Sequence, residues 1–144
     1  MNGVFTKCEG CGQPIYEKEL QARFNVCPHC QFHFPLSAPE RVRLLADRGS
    51  FSERDAGMTA GDPLGFEDYR EKLEGAREKT GLDDAVLSGV AKVGGHPVAL
   101  AAMDFRFIGG SMGSVVGERI TRTVEAAHEE ELPLVIVSAS GGAR

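Results

Sequence analysis

All four cysteines of the chain stand at Cys8-x2-Cys11-x15-Cys27-x2-Cys30, and no other feature restricts the opening segment so strongly. Each Cys-x-x-Cys pair folds as a tight knuckle that presents two thiolates to one ion, with knuckle amides aimed at the sulfurs. Gly10 and Gly12 suit the first turn and Pro28 the second. Four soft ligands complete a tetrahedron around Zn2+ and leave no position open for water, so the spacing predicts one structural zinc rather than a hydrolytic one. Two disulfides would need an oxidising compartment, and a redox Cys-x-x-Cys normally stands single beside a βαβ unit. His29 and His33 are read as exposed ribbon residues, because four thiolates already fill the shell.

Around the cysteines, residues 5–34 read as short antiparallel strands, with Phe24, Val26, Phe32 and Phe34 forming one apolar face. A module this small cannot bury enough surface to fold alone, so the metal supplies the deficit. Lys7, Lys18 and Arg23 are matched by Glu9, Glu17 and Glu19, which leaves the ribbon without a phosphate-binding stripe. The whole chain carries a formal charge of -5, with 42% hydrophobic and 26% charged residues; this describes a soluble protein with no bias toward nucleic acid. No apolar run approaches the length of a membrane span, and reduced thiols point to the cytoplasm.

Beyond the ribbon, Ser37-Ala38-Pro39-Glu40 is a capping box that opens a short helix carrying Val42, Leu44 and Leu45. An irregular stretch follows, then a highly charged helix over 67–80 with Gly81 as its C-cap. Residues 85–93 and 98–105 flank a Gly94-Gly95-His96-Pro97 turn and predict a β-hairpin whose second strand is buried on both faces. Gly109-Gly110-Ser111-Met112-Gly113 then leads into a helix over 114–130, with Val116, Ile120, Val124 and Ala127 as its core stripe. Leu134 to Ser138 reads as a buried strand running into Ala139-Ser140-Gly141-Gly142-Ala143-Arg144. This division gives a zinc ribbon over 1–36, a helical connector over 37–82 and an α/β segment over 83–144. A strand-to-glycine turn usually feeds a helix, so the chain reads as the N-terminal piece of a longer protein or as one completed by a partner.

Glycine pairs after buried strands bring backbone N–H groups close to a ligand, since no Cβ intervenes. Gly141-Gly142 is the leading place for donors to an oxyanion. Gly109 to Gly113, ahead of a helix, is the candidate ligand cradle. By motif alone each is also an ordinary tight turn. Ser138, Ser140 and His128 form no convincing nucleophile–base set, and Asp104 with Arg106 reads as a structural ion pair.

Together Gly3-Val4-Phe5-Thr6-Lys7-Cys8, the cysteine ribbon, Asp104-Phe105-x-Phe107-x-Gly109-Gly110-Ser111-Met112-Gly113-Ser114-Val115-Val116-Gly117-Glu118, and Leu132-Pro133-Leu134 through Arg144 resemble the carboxyltransferase β subunit of bacterial-type acetyl-CoA carboxylase. The resemblance spans essentially the whole chain. It implies a zinc ribbon followed by an incomplete crotonase-like domain of ββα units. It further implies transfer of a carboxyl group from carboxybiotin to acetyl-CoA, giving malonyl-CoA for fatty-acid synthesis. Biotin would arrive on a separate carrier protein and be carboxylated by a biotin carboxylase, while an α subunit completes an α2β2 assembly. On this resemblance the Gly141 and Gly142 amides are oxyanion donors and Gly109, Gly110, Ser111, Met112 and Gly113 line the acyl-CoA side. The family continues well beyond the position of Arg144, so this length is expected to be inactive alone. Alternatives are a zinc-ribbon module binding nucleic acid or protein, and a carboxyltransferase or decarboxylase for another acyl-CoA.

Overall fold

The computed structural model describes residues 4–144, so Gly3 of the first motif lies outside the described residues. The chain forms two compact units, 1–36 and 37–144. No second boundary appears at 82, because Ala38, Val42, Leu73, Ala76 and Leu82 share one hydrophobic core with Val86, Leu100 and Val116. The connector is part of the α/β unit.

In the first unit, β1 (Phe5–Lys7) and β2 (Pro14–Tyr16) pair antiparallel, and α1 (Glu17–Ala22) follows directly. Strands alone were expected here, yet Glu17-Lys18-Glu19-Leu20-Gln21-Ala22 is composed of strong helix formers and Leu20 gives the turn a buried anchor. Phe24 and Asn25 then adopt φ of 52° and 60°, which turns the chain sharply and leaves Phe24 exposed rather than on the expected apolar face. Phe32 and Phe34 do join the small core of Cys8, Ile15, Leu20 and Cys27, meeting edge to face with centroids 5.1 Å apart.

The second unit opens with α2 (Ala38–Leu45), whose predicted capping box is complete: Glu40 N–H donates to Ser37 Oγ, and Ser37 N–H donates to Glu40 Oε2. Val42 is buried but Leu44 and Leu45 are exposed, since so short a helix turns only one narrow stripe inward. A four-stranded sheet follows in the order β3 (Ser52–Glu53), β4 (Val86–Val93), β5 (His96–Met103) and β6 (Leu134–Val137), the last pair parallel. The charged helix α3 (Tyr69–Thr80) ends on Gly81 at φ 71°, as its C-cap chemistry requires.

The hairpin turn is tighter than expected. Val93 pairs with His96, so Gly94 and Gly95 alone make the turn, both at positive φ, and His96 and Pro97 already belong to β5. Both glycine N–H groups donate to the Asp47 carboxylate, at 2.9 and 2.7 Å. From Val98 to Met103, β5 is wholly buried, as its small apolar residues indicated.

A parallel connection cannot be a hairpin, and α4 (Ser114–Glu129) supplies the crossover between β5 and β6. Its buried stripe differs from expectation: Val116, Arg119, Thr123 and Ala127 point inward, whereas Val124 is 41% exposed. Arg119 belongs there because polar partners await it. Nε donates to Ser88 Oγ at 3.0 Å, and Nη2 to Glu53 Oε1 at 2.7 Å and to the Arg54 carbonyl, clamping α4 to β3 and β4. β6 is likewise half open, with Leu134 and Ile136 exposed, because it is the edge strand among the described residues. No helix among the described residues is long and apolar enough to cross a membrane.

Candidate functional site

The ligand atoms of Cys8, Cys11, Cys27 and Cys30 all lie within 4.8 Å of one another. Cys8 Sγ is 3.7 Å from Cys30 Sγ, and Cys11 Sγ is 3.9 Å from Cys27 Sγ. A tetrahedral site with Zn–S bonds of about 2.3 Å requires sulfurs about 3.8 Å apart, and these two separations match it. The knuckles are built as their spacing demands: Gly12 sits at φ 73°, and the His29 N–H approaches Cys27 Sγ at 3.4 Å. A Cβ on Gly10 would lie 3.0 Å from Phe32 Cβ and 3.2 Å from Cys30 Sγ, so glycine lets the first knuckle close on the second without crowding.

The electrostatics also call for a cation. Burial raises the Cys27 thiol, but N–H groups of Cys30 and His29 and the thiols of Cys8 and Cys30 outweigh it and bring Cys27 down to about 6. The Phe32 N–H favours a Cys30 thiolate, yet burial and the Cys11, Cys27 and Cys8 sulfurs hold its proton up to about 12. One anion therefore suppresses the next. Four thiolates coexist at this separation only around a metal, whose binding releases the remaining protons. His29 and His33 are exposed and stand outside the cluster.

Structure unites the two glycine motifs that the sequence left about 30 residues apart. Gly141 N–H donates to the Gly109 carbonyl at 2.9 Å, Met112 N–H to the Gly142 carbonyl at 2.8 Å, and Arg144 N–H to the Met112 carbonyl at 3.0 Å. Met112 and Ala143 thus form a parallel bridge that holds the 109–113 and 139–144 turns side by side. Ile108, Gly109 and Gly110 all have positive φ, of 47°, 64° and 64°. For the β-branched Ile108 this is a strained geometry, the kind retained where surrounding contacts over-determine the backbone. Gly110 is required for space as well, since a Cβ there would come within 2.0 Å of the Ala139 carbonyl oxygen.

This union corrects the reading of Gly141 and Gly142 as two free donors. The Gly141 N–H is consumed by the main-chain bond to Gly109, and it holds the turns together. The Gly142 N–H donates to Ser140 Oγ at 3.0 Å, the hydroxyl of an exposed residue. A positive helix terminus beside this turn comes from α4, whose N-cap Gly113 follows Met112 and whose first turn has no side-chain cap. In the same loop Ser111 Oγ is buried without a partner.

The remaining candidates behave as ordinary structure. His128 and Ser138 are exposed and form no catalytic set. Asp104 is fully buried and accepts from Arg106 Nε and Nη2 and from the Ala38 N–H, fastening the start of α2 to the end of β5. Burial raises its carboxyl, but the Arg106 guanidinium and the two backbone donors outweigh that and hold it below the usual carboxylate range. Sequence reasoning missed Asp84 and Arg144, a carboxylate before β4 and a guanidinium at the glycine turn, which pair in the structure. No local pattern linked them.

A four-cysteine ribbon is joined to a strand–strand–helix unit with facing glycine turns, and matches to known families and structures place that arrangement in the zinc-ribbon carboxyltransferase class. Residues 5–30 match the acetyl-CoA carboxylase zinc finger domain, and residues 36–144 match the carboxyl transferase domain. The chain belongs to the carboxyl transferase domain family. It is 73% identical over 141 residues to the acetyl-coenzyme A carboxylase carboxyl transferase subunit beta of Rubrobacter xylanophilus, covering 98% of this chain and 55% of that one. With the subunit of the same name from Prochlorococcus marinus it shares 50% identity over 146 residues, covering 99% of this chain and 50% of the relative. The chain thus spans about half the length of the curated relatives it matches. Among solved structures, transcarboxylase 12S with hydrolysed methylmalonyl-coenzyme A bound superposes with a TM-score of 0.63 at 28% identity, covering 88% of this chain and 21% of that one. A Pseudomonas malonate decarboxylase heterodimer gives 0.54 at 29% identity, covering 76% and 38%.

Proposed function

We propose that this chain is the N-terminal half of the β subunit of an acetyl-CoA carboxylase carboxyltransferase. The substrates are acetyl-CoA and carboxybiotin borne on a biotin carboxyl carrier protein, and the product is malonyl-CoA for fatty-acid synthesis. A biotin carboxylase charges the carrier, and an α subunit completes an α2β2 carboxyltransferase. The setting is the cytoplasm, where thiols stay reduced for zinc. Carboxybiotin, when bound, supplies the carboxyl group.

The task of this chain is to stabilise charge at the thioester. Loss of a methyl proton from acetyl-CoA puts negative charge on the thioester oxygen, and fixed N–H donors in a water-poor cleft lower the cost of that enolate. The Gly142 amide, released from Ser140, faces this oxygen, with the positive end of α4 beside it. Gly141 has a different part: its N–H locks the two turns in register. Residues 109–113 form the acyl-CoA wall. Zinc holds the ribbon and takes no part in the transfer.

The observation that supports this reading best is the joining of two remote glycine turns by three main-chain hydrogen bonds next to an uncapped helix start. The test compares the full-length protein with residues 1–144, each with α subunit and carboxylated carrier. The full-length protein is expected to form malonyl-CoA and the 144-residue chain to form none. No turnover by the long protein would refute the assignment, and robust turnover by the short chain would refute the expectation that it is inactive.

A further inference from the structure

Arg144 is the one charged residue of the 139–144 turn, yet its side chain is drawn inward and only 11% exposed. The guanidinium lies over the Phe107 ring, 5.6 Å from its centroid, and Nη2 donates to Asp84 Oδ1. A Cβ on Gly113 would sit 2.8 Å from Arg144 Nε, so the side chain runs directly against the backbone that starts α4. Its own N–H is bonded to Met112. One residue therefore touches both glycine turns, the buried Phe107 and the entry to β4.

Asp84 is an unusual anchor. It is fully buried, its Oδ1 also accepts from the Ala85 N–H at 2.7 Å, and its Oδ2 has no partner. A buried ion pair that leaves an oxygen unsatisfied is poor at raising stability, and an apolar pair of similar volume would hold the segment as well. What a planar guanidinium stacked on a ring and aimed at a carboxylate does offer is a fixed orientation.

We propose that Arg144 is a positioning residue: anchored on Asp84 and Phe107, it bolts the 139–144 turn against the 109–113 turn and fixes where the Gly142 amide points. This deepens the carboxyl-transfer reading and rests on it for its catalytic consequence. Arg144 acts through the backbone and does not touch the substrate. Lysine cannot substitute, because a flexible ammonium neither stacks on Phe107 nor defines a plane.

The test uses the full-length protein assembled with its α subunit, carrying Arg144→Lys, Arg144→Met, Asp84→Asn and the Asp84→Asn/Arg144→Met pair. Arg144→Lys and Asp84→Asn are expected to lower kcat per folded complex about 10- to 100-fold, with KM for acetyl-CoA within about threefold of the parent, because misplaced donors cost transition-state stabilisation rather than binding. The double variant should be no worse than the poorer single, since both break one bolt. Amide exchange at Met112, Gly141 and Arg144 should accelerate in Asp84→Asn, a readout independent of turnover. If Arg144→Met fails to assemble, Arg144→Lys and Asp84→Asn decide. Unchanged kcat in both, or a raised KM with kcat intact, overturns the proposal. If the unsubstituted protein transfers no carboxyl group, the functional assignment has failed, and the exchange rates alone then judge the bolt: no acceleration overturns it.

Discussion

Substituting Gly110 by alanine tests the joined turns directly, because a neighbouring glycine provides a matched control. Gly109 and Gly110 share a φ of 64°, so alanine at either position incurs the same left-handed penalty, about 1–2 kcal/mol. Their surroundings differ. A methyl at Gly109 meets nothing within 4 Å, whereas at Gly110 it comes to 2.0 Å from the Ala139 carbonyl oxygen. Real Cβ atoms essentially never approach below 3.0 Å, so the turns must part by about 1 Å, and overpacking of this kind adds about 1–3 kcal/mol. Gly110→Ala should therefore unfold at lower urea than Gly109→Ala, by about 1–3 kcal/mol of stability. A shift of about 1 Å in the donors should also reduce carboxyl transfer by the full-length protein about 10²-fold, against a small effect for Gly109→Ala. Equal urea midpoints and equal rates for the two variants would show that residues 110 and 139 are not in contact, and the site as described would fall with them.

Three further outcomes follow from the same structure. Chelating zinc, or Cys27→Ser, should expose the ribbon amides to rapid exchange while β4 and β5 stay protected, since bound zinc contributes an apparent 10–16 kcal/mol to such modules; a protected ribbon in metal-free protein would contradict this. Asp104 has a folded pKa held below its unfolded value, so its contribution to stability is present above about pH 4 and is lost as pH falls through the folded value. Asp104→Asn should thus destabilise the protein near neutral pH by an amount that shrinks on acidification; a gap that widens at low pH would reverse the sign. Val124→Lys should change stability by less than about 0.5 kcal/mol, whereas Val116→Ala, in the core, should cost about 1–3 kcal/mol in a denaturant titration.

Much of the site was legible because it depends on local chemistry. Cysteine spacing determines which thiols can share an ion, a capping box reports the start of α2, and paired glycines mark where backbone must bend or come close. The errors have one source, in that periodicity and composition treat each segment as if its surroundings were uniform. Arg119 was left out of the expected stripe, yet Ser88 and Glu53 hold it inward, and Val124 lost its expected place in the core to Thr123. Glu17 to Ala22 was a missed signal of the other kind, helix formers hidden by an expectation of strands.

By itself the chain's order of residues determined the two cysteine knuckles, the hairpin, the capped start of α2 and the helix after the 109–113 turn, since each depends on residue types a few positions apart. Tertiary structure alone decided that Gly109 receives the Gly141 proton, that Gly142 is left to the Ser140 hydroxyl, and that Arg144 reaches Asp84. The Gly109–Gly141 and Asp84–Arg144 pairings join residues about 30 and 60 positions apart, and their geometry exists only once β5, α4 and β6 have packed and brought the turns to the same end of the sheet.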